Sequence, residues 1–226
     1  MTRNNSPIFP ECILLEDDHL LVVNKSAGLM VEPDRNGHPN LLSEAKKYLK
    51  LKNHSAVTYA QHIHRLDRPV SGIILFAKQR EVLNNLSNQF ATRSVRKYYQ
   101  ALTSSAPLLR EGTLQHWHRK EKKRAVLYAQ QVEYSENVKL SYSITAKSVS
   151  LFLWDIELHT GKYHQIRAQL ASVSCPILGD TLYGSGDLYK PNAIALHACK
   201  LSFNHPISRE LINVACPSPF PGGSTS

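Results

Sequence analysis

The stretch Gln61-His62-Ile63-His64-Arg65-Leu66-Asp67-Arg68-Pro69-Val70-Ser71-Gly72-Ile73-Ile74-Leu75-Phe76-Ala77-Lys78 does most to decide the fold. Its second half holds five consecutive apolar residues, Ile73 to Ala77. Such a run predicts a strand over 71–78 that is buried on both faces. Its first half packs His64, Arg65, Asp67 and Arg68 into five positions just before that strand. Pro69 and Gly72 restrict and release the backbone between the halves. A loop mounted on a core strand is a rigid support for a reactive group. Asp67, flanked by two arginines, is expected to be ionised. An ionised carboxylate can act as nucleophile or base, and a local ion pair would use the same residues.

Working outward, Ile13–Leu15 and Leu20–Val23 flank Glu16-Asp17-Asp18 and predict a strand–turn–strand. Asn40 is placed to cap a helix reaching Lys52. Val82, Leu83, Leu86 and Phe90 keep the 3.6-residue period of a second helix. From Val95 the period becomes two. It is cleanest at 151–159, where Phe152, Trp154, Ile156 and Leu158 share a face. A third helix is expected from about His164 to Ser172, and late strands near 193–203 and 211–215. Residues 1–11 read as a loose arm and the Pro- and Gly-rich end as a loose tail. Strands in series with about three helices favour an α+β fold with a largely antiparallel sheet.

A second dense segment is Leu158-His159-Thr160-Gly161-Lys162-Tyr163-His164-Gln165-Ile166-Arg167. His164 and Arg167 share a helix face, and Arg167 could bind phosphate or hold a carboxylate such as Asp67 ionised. The chain of 226 residues carries 27 Lys and Arg against 18 Asp and Glu, a formal charge of +9. That excess suits a polyanionic partner, nucleic acid before a membrane surface. Five of the six residues from Arg119 to Arg124 are basic, and His116, Trp117 and His118 precede them. Cations beside aromatics suit phosphate neutralisation with base stacking; a solvated loop would carry the same residues.

No apolar run reaches the roughly 18 residues of a membrane span, and the start lacks a signal-peptide core. Cys12, Cys175, Cys199 and Cys216 are widely spaced, which suggests neither disulfide scaffold nor zinc knuckle, so a reducing cytoplasm is expected. A rival reading makes His62, His64 and Asp67 metal ligands of a hydrolase. Arg65 and Arg68 would repel the cation, so no metal is expected.

These segments together resemble the RluA-type pseudouridine synthases of RNA. His64-Arg-Leu-Asp67 through Gly72 is similar to the family segment carrying its essential aspartate. Lys97-Tyr-Tyr99-Gln-Ala101 is similar to the strand carrying its tyrosine, and Leu158 to Arg167 to its Thr-Gly-Arg-x-His-Gln-Ile-Arg segment. Pro176-Ile-Leu-Gly-Asp180 with Leu182-Tyr-Gly184, the opening Glu16 to Lys25 with Ala27-Gly28, Leu196-His-Ala198 and His205-Pro206 extend the resemblance over about 12–217. Val70, Lys162 and Ser26 stand where the family usually has threonine, arginine and proline.

The resemblance implies one catalytic domain over 1–226, with tails at 1–11 and 218–226 and no S4 domain. It implies a bent, mixed, mainly antiparallel sheet with flanking helices and loops around a basic cleft. The implied reaction converts uridine in structured RNA, transfer or ribosomal, to pseudouridine, with no cofactor. Asp67, Tyr99 and Arg167 are the implied catalytic residues. Arg65, Arg68, Lys97, Arg119, Lys120, Lys122, Lys123, Arg124, Lys162 and His164 are the expected RNA contacts. A monomer is expected. A binding module that has lost catalysis is the alternative, and the intact Asp67, Tyr99 and Arg167 set argues against it.

Overall fold

A computed structural model of the protein describes residues 12–52 and 58–221. The arm at 1–11 and the end of the tail, 222–226, lie outside the described residues. The chain forms two compact units, one from 1–95 and 201–216 and one from 96–200 and 217–226.

The first unit contains β1 (Ile13–Glu16), β2 (Leu20–Lys25), α1 (Leu41–Lys52), β3 (Gln61–His62), β4 (Ser71–Ala77) and α2 (Arg80–Ala91). The β1–β2 turn is set by Asp17, whose Oδ1 accepts the N–H groups of His19 and Leu20, both at 2.7 Å. Asn40 caps α1 as expected, its Oδ1 accepting the Ser43 N–H at 2.9 Å. β2 and β4 pair antiparallel from Leu20↔Ala77 to Lys25↔Gly72. Every residue of β4 from Gly72 to Ala77 is buried, as a continuous apolar run requires. One side of this pair packs Leu20, Val22, Ile73 and Leu75 against Val82 and Leu86 of α2 and against Leu201, Phe203 and Val214. Burying each such side chain contributes about 1.5–3 kcal/mol, so the strand under the Asp67 loop is firmly held.

The second unit contains β5 (Arg96–Thr103), β6 (Glu111–Glu121), β7 (Arg124–Tyr128), β8 (Glu136–Ser148), β9 (Leu151–Leu158), α3 (Gln165–Ser172) and a 3-10 turn, Thr181–Tyr183. β10 (Leu196–Asn204) belongs to both units, and β11 (Leu211–Ala215) pairs with it. Strand order is β1-β2-β4-β10 in the first unit and β10-β5-β9-β8-β6-β7 in the second. The registers of β5, β6, β7, β8 and β9 are all antiparallel. Trp154, Ile156 and Leu158 are buried, and the Trp154 indole N–H donates to Thr103 Oγ1 at 2.8 Å. This is the α+β architecture expected from the sequence. Among the described residues no helix is long and apolar enough to cross a membrane.

One sequence expectation needs correction, and one alternative is set aside. The basic run at 119–124 is strand and turn rather than the solvated loop that would carry the same residues. It ends β6, turns at Lys122-Lys123 and opens β7, with Glu121 opposite Arg124. The tail is not loose at its start, because Phe220 is 5% exposed and packs edge-on against Tyr189 and His197.

Candidate active-site residues

Asp67 lies half-buried in the first unit, in a loop tied down at several points. Its carbonyl accepts the Val70 N–H at 3.0 Å. The Arg68 carbonyl accepts the Gly28 N–H at 2.7 Å, and Arg68 Nε donates back to the Gly28 carbonyl at 3.0 Å. Gly28 has φ +85°, a conformation that costs glycine little and other residues more. Leu75 N–H donates to His64 Nε2 at 3.2 Å, and the His64 ring stacks on Phe90.

Beneath this loop Lys25 is fully buried. Its Nζ donates to the carbonyls of Ser26 (3.0 Å), Leu29 (2.8 Å) and Arg68 (3.3 Å). Three carbonyls match the three donors of an ammonium. Burial pulls its pKa down to about 7, and the charge of Asp67 works in the opposite direction. Lys25 lies outside the catalytic and RNA-contact residues expected from the sequence. The signal available was a lysine at the end of an apolar strand, where burial demands partners.

Of the expected RNA contacts in this unit, Arg65 is exposed and pairs with Glu32 at 2.9 Å, while Glu32 also meets His62 Nε2 at 3.2 Å. Burial pushes His62 below its ordinary value against the pull of Glu32. The imidazoles of the rival metal reading are therefore engaged elsewhere: His62 with Glu32, His64 with the β4 backbone. Among the described residues no group of three His, Cys, Asp or Glu side chains could hold a metal ion.

In the second unit Tyr99 is buried on β5, opposite Ile156. Two residues earlier, Lys97 reaches the backbone at Gly161, where an added Cβ would sit 3.4 Å from its Nζ. Arg167 is 5% exposed and Asp180 is 1% exposed. They form a two-pronged pair, Nε to Oδ2 at 2.7 Å and Nη2 to Oδ1 at 2.8 Å. Asp180 lies in the quoted Pro176–Asp180 motif, but spacing alone could not name its partner.

α3 is seated by buried amides. Gln165 Oε1 accepts from Thr160 Oγ1 and from the Lys162 N–H, and Gln165 Nε2 donates to Gln169 Oε1. His164 precedes the helix with φ +53° and stacks on Tyr163 at 3.8 Å. Around it gather several of the expected RNA contacts. Lys120 Nζ lies 4.6 Å from the Tyr163 ring centre and the Arg124 guanidinium 5.3 Å from that of Tyr183. Lys122 and Lys123 are exposed at the hairpin turn. Lys162 pairs with Glu136. Arg119 is committed within the hairpin, donating to Glu121 Oε1, the Tyr128 hydroxyl and the Glu133 carbonyl. Tyr128 and Arg119 hold the Glu121 carboxyl below its ordinary value.

The chain is 34% identical to the uncharacterized RNA pseudouridine synthase YhcT of Bacillus subtilis (strain 168), over 95% of this chain and 72% of that protein. It is 33% identical to ribosomal large subunit pseudouridine synthase D of Nitrosomonas europaea, over 93% of this chain but 62% of the relative. It is 32% identical to tRNA pseudouridine synthase C of Pasteurella multocida, over 89% of each. The fold matches that of human RNA Pseudouridylate Synthase Domain Containing 4, with a TM-score of 0.77 at 23% identity, covering 93% of this chain and 89% of that one. The family model for RNA pseudouridylate synthase matches residues 19–172, and the chain belongs to that family of uridine-isomerising enzymes.

Proposed function

We propose that the protein converts uridine to pseudouridine in a structured RNA, transfer or ribosomal, with Asp67 as the catalytic carboxylate. The observation that carries this reading is the mounting of Asp67. It projects from a loop pinned by Lys25, Gly28 and Arg68 ahead of a fully buried strand. Isomerisation breaks the C1′–N1 bond, turns the uracil and forms a C1′–C5 bond, and the C5 hydrogen leaves as a proton. A fixed carboxylate assists the first step, either by attack on C1′ or by promoting a glycal. Tyr99 lies against the base and serves proton transfer. Arg167, held by Asp180, completes the catalytic set.

The target base must leave its stack at a cost of a few kcal/mol, and phosphate contacts offset it. Arg65, Arg68, Lys97, Lys120, Lys122, Lys123, Arg124, Lys162 and His164 supply those contacts. Arg65 fills the gap left by the flipped base. The second unit holds 14 of the 27 Lys and Arg but 8 of the 18 Asp and Glu, which supports placing the main RNA grip there. The protein acts as a cytoplasmic monomer. The names of the relatives support both RNA classes. The test is tritium release from 5-tritiated uridine in separated transfer and ribosomal RNA fractions, with pseudouridine mapping of each. Release from one fraction names the substrate class, and none from any RNA class contradicts the proposal.

A further inference from the structure

The hydroxyl of Tyr183 sits where three elements of the second unit meet. The Ala125 N–H, at the start of β7, donates to it at 2.7 Å. His164 Nδ1, just before α3, lies 3.1 Å away. Burial raises the Tyr183 pKa, so the hydroxyl keeps its proton. It accepts from Ala125 and shares a hydrogen bond with His164 Nδ1. Its ring lies 5.1 Å from the Arg167 guanidinium and 5.3 Å from that of Arg124. Two residues of the same turn separate it from Asp180, the carboxylate that clamps Arg167.

Apolar packing joins the same parts. Ala125 and Leu127 of the hairpin pack with Ala168 and Ala171 of α3 and with Tyr183. Two further bonds fix the hairpin to the approach to α3. His118 Nε2 donates to the Tyr163 carbonyl at 2.8 Å, and the Tyr163 hydroxyl donates to the Lys123 carbonyl at 3.3 Å. Closely packed groups with matched hydrogen bonds shift together rather than singly.

We propose that Tyr183 is a positioning residue that couples the basic β6–β7 hairpin to Arg167. A displacement of the hairpin by RNA is thereby transmitted to the orientation of the Arg167–Asp180 pair. The inference rests on the roles given above to the hairpin and to Arg167.

Tyr183→Phe keeps the ring and deletes the hydroxyl. Expected are a kcat about tenfold lower, a KM raised a few-fold, and exchange of the Ala125 amide about tenfold faster. Asp180→Asn perturbs the far end, and it too speeds Ala125 exchange if the ends are coupled. The kcat losses of the two variants fall short of additive when combined, because both act through Arg167. An unchanged kcat in Tyr183→Phe, fully additive losses, or Ala125 exchange in Asp180→Asn equal to wild type would overturn the coupling. Wild-type protein that forms no pseudouridine would instead overturn the reading of the site, while the exchange data still judge the coupling.

Discussion

The loop around Asp67 and the hairpin around Lys122 are both dense in charge, yet they are built in opposite ways. The loop is fixed from below: a buried lysine spans three carbonyls, and its backbone is pinned to Gly28. The hairpin is fixed along one face, through Ala125 and Leu127, and exposes Lys120, Lys122, Lys123 and Arg124. Chemistry at a sugar carbon depends on position, where an ångström matters. A grip on phosphates depends on the number of accessible charges. The contrast implies that variants in the loop change turnover and variants at the hairpin tip change affinity.

The largest effect that would sharpen the contrast is at Arg167, which shares a unit with the hairpin but is buried and clamped by Asp180. Arg167→Met leaves Asp180 buried and unpaired, which costs about 3–5 kcal/mol. Turnover should fall at least about 100-fold, with RNA affinity within a few-fold of wild type. Titration of RNA binding beside single-turnover rates checks this; an affinity loss matching the rate loss would break the division.

Replacing Lys120, Lys122, Lys123 and Arg124 together by Ala should weaken RNA binding about 10–100-fold. The salt slope should flatten by about three, as four phosphate contacts vanish. Binding isotherms at several salt concentrations read it, and an unchanged slope would make the run a solvated surface.

Lys25 gives a pH signature. Unfolded, it binds its proton up to the usual 10.5; folded, only up to about 7. Between those values the unfolded state holds more protons, so this group makes stability rise with pH across that window. The rise is up to about 1.4 kcal/mol per pH unit. Lys25→Met should remove it, seen as a flatter dependence of the denaturation midpoint between pH 7 and 10. Identical slopes in the two proteins would contradict a buried, titrating lysine. The smallest effect belongs to Arg119. Glu121 already balances its charge, so Arg119→Ala should change RNA affinity less than about threefold.

How much of this was legible in the sequence follows from how each element signals. β4 and the helices α1 and α2 announce themselves by apolar runs and periods, and the Asn40 cap by its residue type. β6 and β7 do not. β6 exposes Glu111, Gly112 and Thr113 in succession and then mixes polar and aromatic residues from Gln115 to Lys120, so no polar–apolar alternation marks it. Their turn uses Lys122 at φ +51° where glycine or asparagine would have signalled a hairpin. The motif residues Asp67, Tyr99 and Arg167 were readable as residues worth testing. The partners that hold them were not: the Lys25 cage and the Asp180 clamp are tertiary pairings, invisible to spacing. Phe220 shows the same limit, since a Pro- and Gly-rich stretch gives no hint that one aromatic within it is buried.

The most direct measurement of the central claim is tritium release and RNA binding by Asp67→Asn, side by side with wild type. The substitution keeps the side chain's size and removes its charge. The account predicts no detectable pseudouridine with an RNA dissociation constant within about threefold of wild type, since binding comes from the cationic surface. Tritium release at the wild-type rate by Asp67→Asn would contradict it.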